Sequence, residues 1–178
     1  TAIKAYTEAM LDNLSNPQAP RERFLGIINS ECDRLARLVS DVLDLSRLEA
    51  GRRPLRLARF DVERLVIETL DSLAPSAMER RITVARDLEA GLVAEADPDL
   101  VRRLLINLAG NAIKYSPHST TVRIAARTQG DECVLEVEDQ GPGIPPEDLP
   151  HVFERFYRAR RLRDEEVEGT GLGLAIAR

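Results

Sequence analysis

The sequence predicts an α+β protein in which a helical hairpin precedes a domain of helices and mostly antiparallel strands. An apolar heptad stripe runs along residues 21–50, and helical and strand-like patterns alternate after residue 60. The basic, aperiodic stretch GRRPLRLARF separates the two parts. We therefore expect a hairpin at residues 1–50, a linker at 51–59 and a second domain at 60–178.

Composition and charge exclude several classes of protein. The 178 residues contain no apolar run of about 18, so we expect no segment that spans a bilayer. A net charge of −5 disfavours electrostatic capture of nucleic acid. Cys32 and Cys133 have no CxxC spacing, which favours reduced core thiols and a cytoplasmic setting over a disulfide or a zinc site.

The hairpin is predicted from apolar spacing. The longer helix repeats apolar residues at alternating intervals of three and four: Leu25, Ile28, Cys32, Leu35, Val39 and Val42. A third apolar position in each heptad makes the stripe wider than a two-stranded coiled coil needs. The prolines of SNPQAP end a shorter helix upstream. Because one hairpin cannot cover the stripe, dimerisation into a four-helix bundle is expected.

The second domain begins with a helix that Asp61 can cap and that Pro75 should kink or shorten. One buried face is predicted for it: Val62, Leu65, Val66, Thr69, Leu73 and Ala77. RITVARDL and GLVAEAD predict short strands, and Asp97 followed by Pro98 predicts the start of a second helix. TVRIAAR and CVLEVED, joined by TQGD, predict a β-hairpin.

Polar side chains share one face of the second helix. At about 100° per residue, Asn107, Asn111 and Lys114 cluster on one side. The predicted buried arc lies elsewhere: Val101, Leu104, Leu105, Leu108 and Ala112. Amide oxygens suit Mg²⁺, which also takes phosphate and water oxygens, so this face suits a magnesium nucleotide. Without further motifs, the simpler interpretation is that these polar residues face solvent on an amphipathic helix.

Two glycine-rich segments follow. In CVLEVEDQGPGIP, a period of two places Asp139 on the inward face, where a buried carboxylate needs a partner. Gly141 and Gly143 would let the backbone approach a flat ligand, although an acidic strand end before a Gly-Pro turn is the common alternative. GTGLGLAIAR places three glycines before a helical run, a junction suited to phosphate, but it matches neither common nucleotide fingerprint.

Taken in order, NLAGNAIKYS, DQGPGI, FERFYR and GTGLGLAI resemble the N box, first glycine box, F box and second glycine box of sensor histidine kinases. RLARLVSDVLDLSRLEAG looks like the second helix of that family's dimerisation and phosphotransfer hairpin. The resemblance implies a homodimeric hairpin joined to an α/β sandwich of the GHKL ATPase type, which gyrase, mismatch-repair and heat-shock chaperone ATPases share. ATP and Mg²⁺ are the implied cofactors, and a response regulator receiver domain is the implied partner.

Residue roles carry over by position. The resemblance implies that Asn111 is the principal Mg²⁺ ligand, assisted by Asn107, and that Lys114 and Arg158 contact phosphate. Tyr115 would lie against the adenine, whose amino group would donate to Asp139. The remaining implied cofactor-binding residues belong to the glycine boxes and the F box: Gly141, Gly143, Ile144, Phe153, Phe156, Gly169, Thr170, Gly171, Leu172, Gly173 and Leu174.

The phosphoacceptor is expected outside this sequence. In the family it is a histidine in SHELRTPL, a box that would end just before Thr1, so we expect no self-phosphorylation by this chain. His118 and His151 do not fit that pattern and are expected to be surface or lid-packing residues. Further strands are expected after Arg178, and the parent protein can be anchored at the inner face of the plasma membrane.

The leading hypothesis is the catalytic core of a two-component histidine kinase. A GHKL-type ATPase that closes a dimer and a non-catalytic nucleotide-binding dimerisation module are the alternatives. The charged segment RARRLRDEEVEG resembles an ATP lid, and we expect high disorder at residues 159–168 without nucleotide.

Overall fold

The structure is a computed structural model that describes residues 4, 5, 7, 24–29, 31, 32, 35, 36, 39, 54–158 and 171–176. The chain divides into two compact units, Thr1–Arg52 and Arg53–Arg178. All described residues of the first unit are helical. The turn predicted at SNPQAP and most of the hairpin lie outside the described residues.

Members of the predicted stripe are exposed in the single chain. Leu25, Leu35 and Val39 expose 54%, 45% and 59% of their surface. Cys32 is also exposed, so the prediction that it is a core thiol is wrong. A stripe that one hairpin leaves open to solvent accounts for both observations.

The second unit is a mixture of helices and strands, as predicted. Its elements are β1 (Ala58–Asp61), α1 (Val62–Glu79), β2 (Thr83–Leu88), β3 (Val93–Ala96), α2 (Pro98–Tyr115), β4 (Thr121–Gln129), β5 (Glu132–Glu138), a 3₁₀ turn (Leu149–His151) and α3 (Gly173–Ile176). β1 pairs antiparallel with β3. β4 lies between β2, to which it is parallel, and β5, to which it is antiparallel. β1 begins at Ala58, inside the segment predicted as a linker.

Helix α1 starts where the sequence indicates and is longer than expected. The Asp61 carboxylate accepts a bond of 2.9 Å from the Arg64 N–H, which confirms the predicted cap. Pro75 does not end or shorten the helix, because α1 continues to Glu79. The final turn is closed by bonds beyond the proline, from the Arg80 N–H to the Ser76 carbonyl and from the Ile82 N–H to the Ala77 carbonyl.

Helix α2 buries a face that is rotated from the predicted one. Its buried residues are Leu105, Ala109, Ala112 and Ile113. Val101, Leu104 and Leu108 are only half-buried. Together with Val66 of α1 and with Val122 and Ile124 of β4, the buried face of α2 forms the core between helices and sheet. No helix within the described ranges combines the length and apolar character needed to cross a membrane.

Replacing Asp97 with alanine is expected to cost about 2 kcal/mol of unfolding free energy. The Asp97 side chain is 4% exposed and accepts bonds from the backbone N–H groups of Arg56, Asp99 and Leu100 at 3.1, 3.1 and 3.3 Å. Urea denaturation of the full chain measures the loss. Asp61→Ala is the matched control, since this exposed cap accepts one bond and its loss should cost about 1 kcal/mol or less. Equal losses in the two variants would contradict the role given to the Asp97 contacts.

Candidate nucleotide site

The polar face of α2 points away from the core. Asn107, Asn111 and Lys114 are half-buried, and on a helical wheel they lie roughly 180° from the buried face. Tyr115, the last residue of α2, is also half-buried. The helix therefore packs one side in the core and carries two amides and an ammonium, all half-buried, on the other.

The Asn107 amide contacts the start of α3. Its Oδ1 lies 3.5 Å from the position that a Cβ atom on Gly173 would occupy. Its Nδ2 is buried and has no hydrogen-bond partner among the described residues. An amide donor buried in this way costs about 1–3 kcal/mol unless a ligand or water accepts from it. The second glycine box thus lies against the asparagine helix, beside an amide donor that can still form a bond.

The loop after β5 leans against the other end of α2. A Cβ atom on Gly141 would lie 2.7 Å from Asp139 Oδ1 and 3.0 Å from the Tyr115 carbonyl oxygen. The Gly141 N–H donates to Asp139 Oδ1 at 2.7 Å. Glycine is required at position 141 because any side chain would enter this contact. The first glycine box and the asparagine helix are therefore in direct contact.

Two expectations for β5 are wrong. Asp139 is exposed and not inward-facing, because β5 ends at Glu138 and the alternation of faces ends with it. Cys133 is exposed near the turn of the β-hairpin and is not a core thiol. Partial burial and the Glu89 carboxylate raise the pKa of the Cys133 thiol.

Two cations lie near Tyr115. Lys114 Nζ is 4.9 Å from the centre of the Tyr115 ring, a cation–π distance. Burial raises the pKa of the Tyr115 phenol, and the positive charge of Arg158 opposes that rise. The phenol is therefore neutral at neutral pH, and Arg158 is close enough for its charge to act on it.

The F box and the second glycine box are in direct contact. The Phe156 N–H donates to the Gly171 carbonyl at 2.9 Å, and a Cβ atom on Gly171 would lie 2.7 Å from the Phe156 carbonyl carbon. Phe156 has a φ of 59°, which is uncommon for a residue with a side chain. Phe153 and Phe156 expose 45% and 61% of their surface, so the prediction that they anchor a lid hinge stays a prediction. Gly169, Thr170 and residues 159–168 lie outside the described residues.

Polar contacts join residues of the F box to the segment that precedes it. The Tyr157 hydroxyl donates to the buried carboxylate of Asp148, and the Tyr157 ring centre is 5.4 Å from that of His151. His151 Nδ1 is 2.7 Å from Glu154 Oε1. His151 is exposed, as is His118, in agreement with the surface roles expected for both.

The remaining residues of the glycine boxes differ in exposure. Leu172 is completely buried. Ile144 exposes 45% of its surface, while Gly143, with a φ of 70°, has open space around it. Leu174 is half-buried. Within the described ranges no cluster of three or more His, Cys, Asp and Glu residues could hold a metal ion.

Two polar contacts behind the site were not anticipated. Gln140 Oε1 accepts from the Thr121 N–H at 3.1 Å, and the Arg80 guanidinium donates to the Ser116 carbonyl. Gln140 belongs to the first glycine box, but its partner Thr121 and the donor Arg80 lie outside every motif identified above. Both contacts join positions far apart in the sequence, so no local pattern could have indicated them.

The mixture of helices and strands, with two glycine boxes in contact with the asparagine helix, defines the class of the second unit. Residues 96–178 match the family model described as histidine kinase-, DNA gyrase B-, and HSP90-like ATPase. Residues 1–51 match the model of the His Kinase A (phospho-acceptor) domain. The chain belongs to the histidine kinase family, as the motif order predicts.

Individual relatives agree with this assignment. The sensor-like histidine kinase SenX3 of Mycolicibacterium smegmatis is 35% identical over 99% of this chain and 46% of its own length. The solved structure of Acinetobacter baumannii histidine kinase AdeS has a TM-score of 0.78, with 26% identity over 99% of this chain and 81% of that one. Full-length ShkA in complex with AMPPNP has a TM-score of 0.73, with 30% identity over 98% of this chain and 36% of that one. The chain thus spans about half (46%) of the length of SenX3.

Proposed function

We propose that this chain is the ATP-binding core of a sensor histidine kinase that transfers the γ-phosphoryl group of ATP to a histidine on the helical hairpin. The phosphoryl group then passes to an aspartate of a response regulator. The observation that carries the proposal is that both glycine boxes contact helix α2, one at its polar face and one at its C-terminal end. Gly173 adjoins Asn107, and Gly141 adjoins Tyr115 and Asp139. The family matches and the AMPPNP complex of the related ShkA support the same reading.

The residues present fit a magnesium nucleotide. The buried Asn107 Nδ2 is a donor for a phosphate oxygen, and the glycines at 141 and 173 let both glycine boxes lie close to α2. Asn111 would hold Mg²⁺, with Asn107 next to it. Bound Mg²⁺ would neutralise charge on the triphosphate.

Each end of the nucleotide has its own set of protein groups. Lys114 and Arg158 supply positive charge for the phosphates, and Tyr115 supplies a flat apolar surface for the base. Asp139 keeps a carboxylate beside Gly141, where it can accept from an exocyclic amino group. Such a site contributes mainly by positioning and charge stabilisation, because phosphoryl transfer needs little covalent chemistry from the protein.

The hairpin would supply the dimer and the phosphoacceptor. The exposed stripe residues Leu25, Leu35 and Val39 would be covered in a four-helix bundle of two chains. We also propose that the hairpin ends at residue 50 and that the ATP-binding domain begins at residue 60. The proposed partner is the receiver domain of a response regulator, and the proposed site of action is the cytoplasm.

Labelled ATP, with and without an added segment that carries a histidine box, tests the proposal. Acid-labile phosphoprotein that forms only with the added histidine supports the kinase. Steady release of phosphate without phosphoprotein would instead support a dimer-closing ATPase. Nucleotide binding alone, or no binding, would support a non-catalytic module and contradict the proposal.

A further inference from the structure

The ends of α1 and α2 are joined through one arginine. Arg80 follows the last residue of α1, and its Nη2 donates to the Ser116 carbonyl at 3.1 Å, just past the end of α2. Its own carbonyl accepts from the Ser119 N–H at 3.2 Å. The backbone and the side chain of Arg80 therefore bind the segment that follows α2 at two points.

This junction is buried and costly to form. Ser116 is 1% exposed, and Arg80 Nε and Ser116 Oγ are buried without a hydrogen-bond partner in the described part of the chain. Arg81 and Ser119 adopt φ angles of 56° and 63°, which cost about 1 kcal/mol or more each for residues with side chains. Conformations of this kind persist where the surrounding structure enforces them, and they concentrate near functional sites.

The junction lies directly behind the proposed base site. Ser116 follows Tyr115, whose carbonyl forms the surface against which Gly141 packs, and Gly141 bonds to Asp139. A continuous series of contacts thus runs from Arg80 through the end of α2 to both residues proposed to face the adenine. The guanidinium also lies at the negative end of the helix dipole, where a cation is favoured.

We propose that Arg80 is a positioning residue for nucleotide binding that holds the last turn of α2 so that Tyr115 and Asp139 are correctly spaced. This inference rests on the proposed function. Arg80 acts on the base end of the site and not on the phosphate end. Asn107 lies two turns before Ser116, and the neighbouring Leu105 and Ala109 are completely buried in the core, so the position of Asn107 does not depend on Arg80.

The difference between the two ends defines the test. Calorimetry on the full chain would measure the affinity for magnesium ATP and for magnesium inorganic triphosphate, which lacks a base. Arg80→Met should weaken ATP binding about 10-fold and change triphosphate binding less than about 2-fold, since a misplaced positioning contact lowers affinity only for the groups that it aligns. Arg80→Lys should recover most of the ATP affinity, because lysine can still donate to the Ser116 carbonyl. Arg81→Met, which removes an exposed charge from the same turn, is the matched control and should bind both ligands as the unmodified chain does.

Thermal unfolding of each variant separates positioning from folding. If Arg80→Met does not unfold cooperatively, Arg80→Lys carries the test, with an expected loss of about 3-fold confined to ATP. Equal losses of affinity for ATP and for triphosphate would overturn the role of Arg80, and so would unchanged ATP affinity in a folded variant. Neither result would contradict the proposed function. Failure of the unmodified chain to bind ATP would overturn the proposed function and this inference together.

Discussion

Asn111→Ala is expected to lower the affinity for magnesium ATP by about 100-fold while leaving the fold intact. Asn111 lies on the polar face of α2 away from the buried residues Leu105 and Ala109, and alanine is the best helix former, so the helix should be preserved. The proposed loss arises because an amide oxygen that would coordinate the metal is removed. Calorimetric titration with ATP in magnesium buffer measures it.

Chelation of the metal sharpens this test. Without Mg²⁺, the Asn111→Ala variant and the unmodified chain should bind ATP equally weakly, because the difference between them depends on the metal. Asp99→Asn removes an exposed charge at the start of the same helix and should leave the affinity unchanged. An Asn111→Ala variant that binds magnesium ATP normally would refute the metal role.

Gly141→Ala is expected to lower ATP affinity at least 10-fold, as a rough estimate for displaced base contacts. The new methyl group would lie 2.7 Å from Asp139 Oδ1 and 3.0 Å from the Tyr115 carbonyl oxygen, and real Cβ atoms are rarely so close to other atoms. Because the carbonyl belongs to the end of a helix, the loop with Asp139 must move instead. The substitution would therefore separate two groups proposed to hold the adenine.

Gly130→Ala is the matched control for Gly141→Ala. Gly130 lies in the turn of the β4–β5 hairpin with a φ of 60° and has open space where a Cβ atom would be. Alanine there should reduce stability by about 1 kcal/mol through backbone strain and leave ATP affinity unchanged. If Gly141→Ala, like Gly130→Ala, lowered stability but left ATP affinity unchanged, the contact at Gly141 would not shape the site.

Local signals in the sequence were sufficient for much of the fold. The caps at Asp61 and Asp97 depend on a carboxylate next to free N–H groups, so they can be read without tertiary information. The β4–β5 hairpin follows from alternation around a glycine-containing turn. The motifs that meet at α2 were also found, because each is a short run with its own composition.

The errors occurred where tertiary contacts decide the outcome. Period-two alternation was extended past Glu138 to Asp139, although the chain turns there. The lack of CxxC spacing predicts core thiols for both cysteines, but Cys133 is exposed beside the turn of the β4–β5 hairpin. Pro75 removes one hydrogen bond, which the packing of α1 outweighs. The Arg80–Ser116 contact joins the ends of two helices that are distant in sequence and leaves no local pattern.

The contact between Phe156 and Gly171 has a consequence for how this family can diverge. Since the two residues are bonded to each other, the two ends of the intervening chain are held together. Adding residues between two joined positions costs only closure entropy, which grows slowly with length. We therefore expect an insertion or deletion between Phe156 and Gly171 to leave the motifs on either side of it in place.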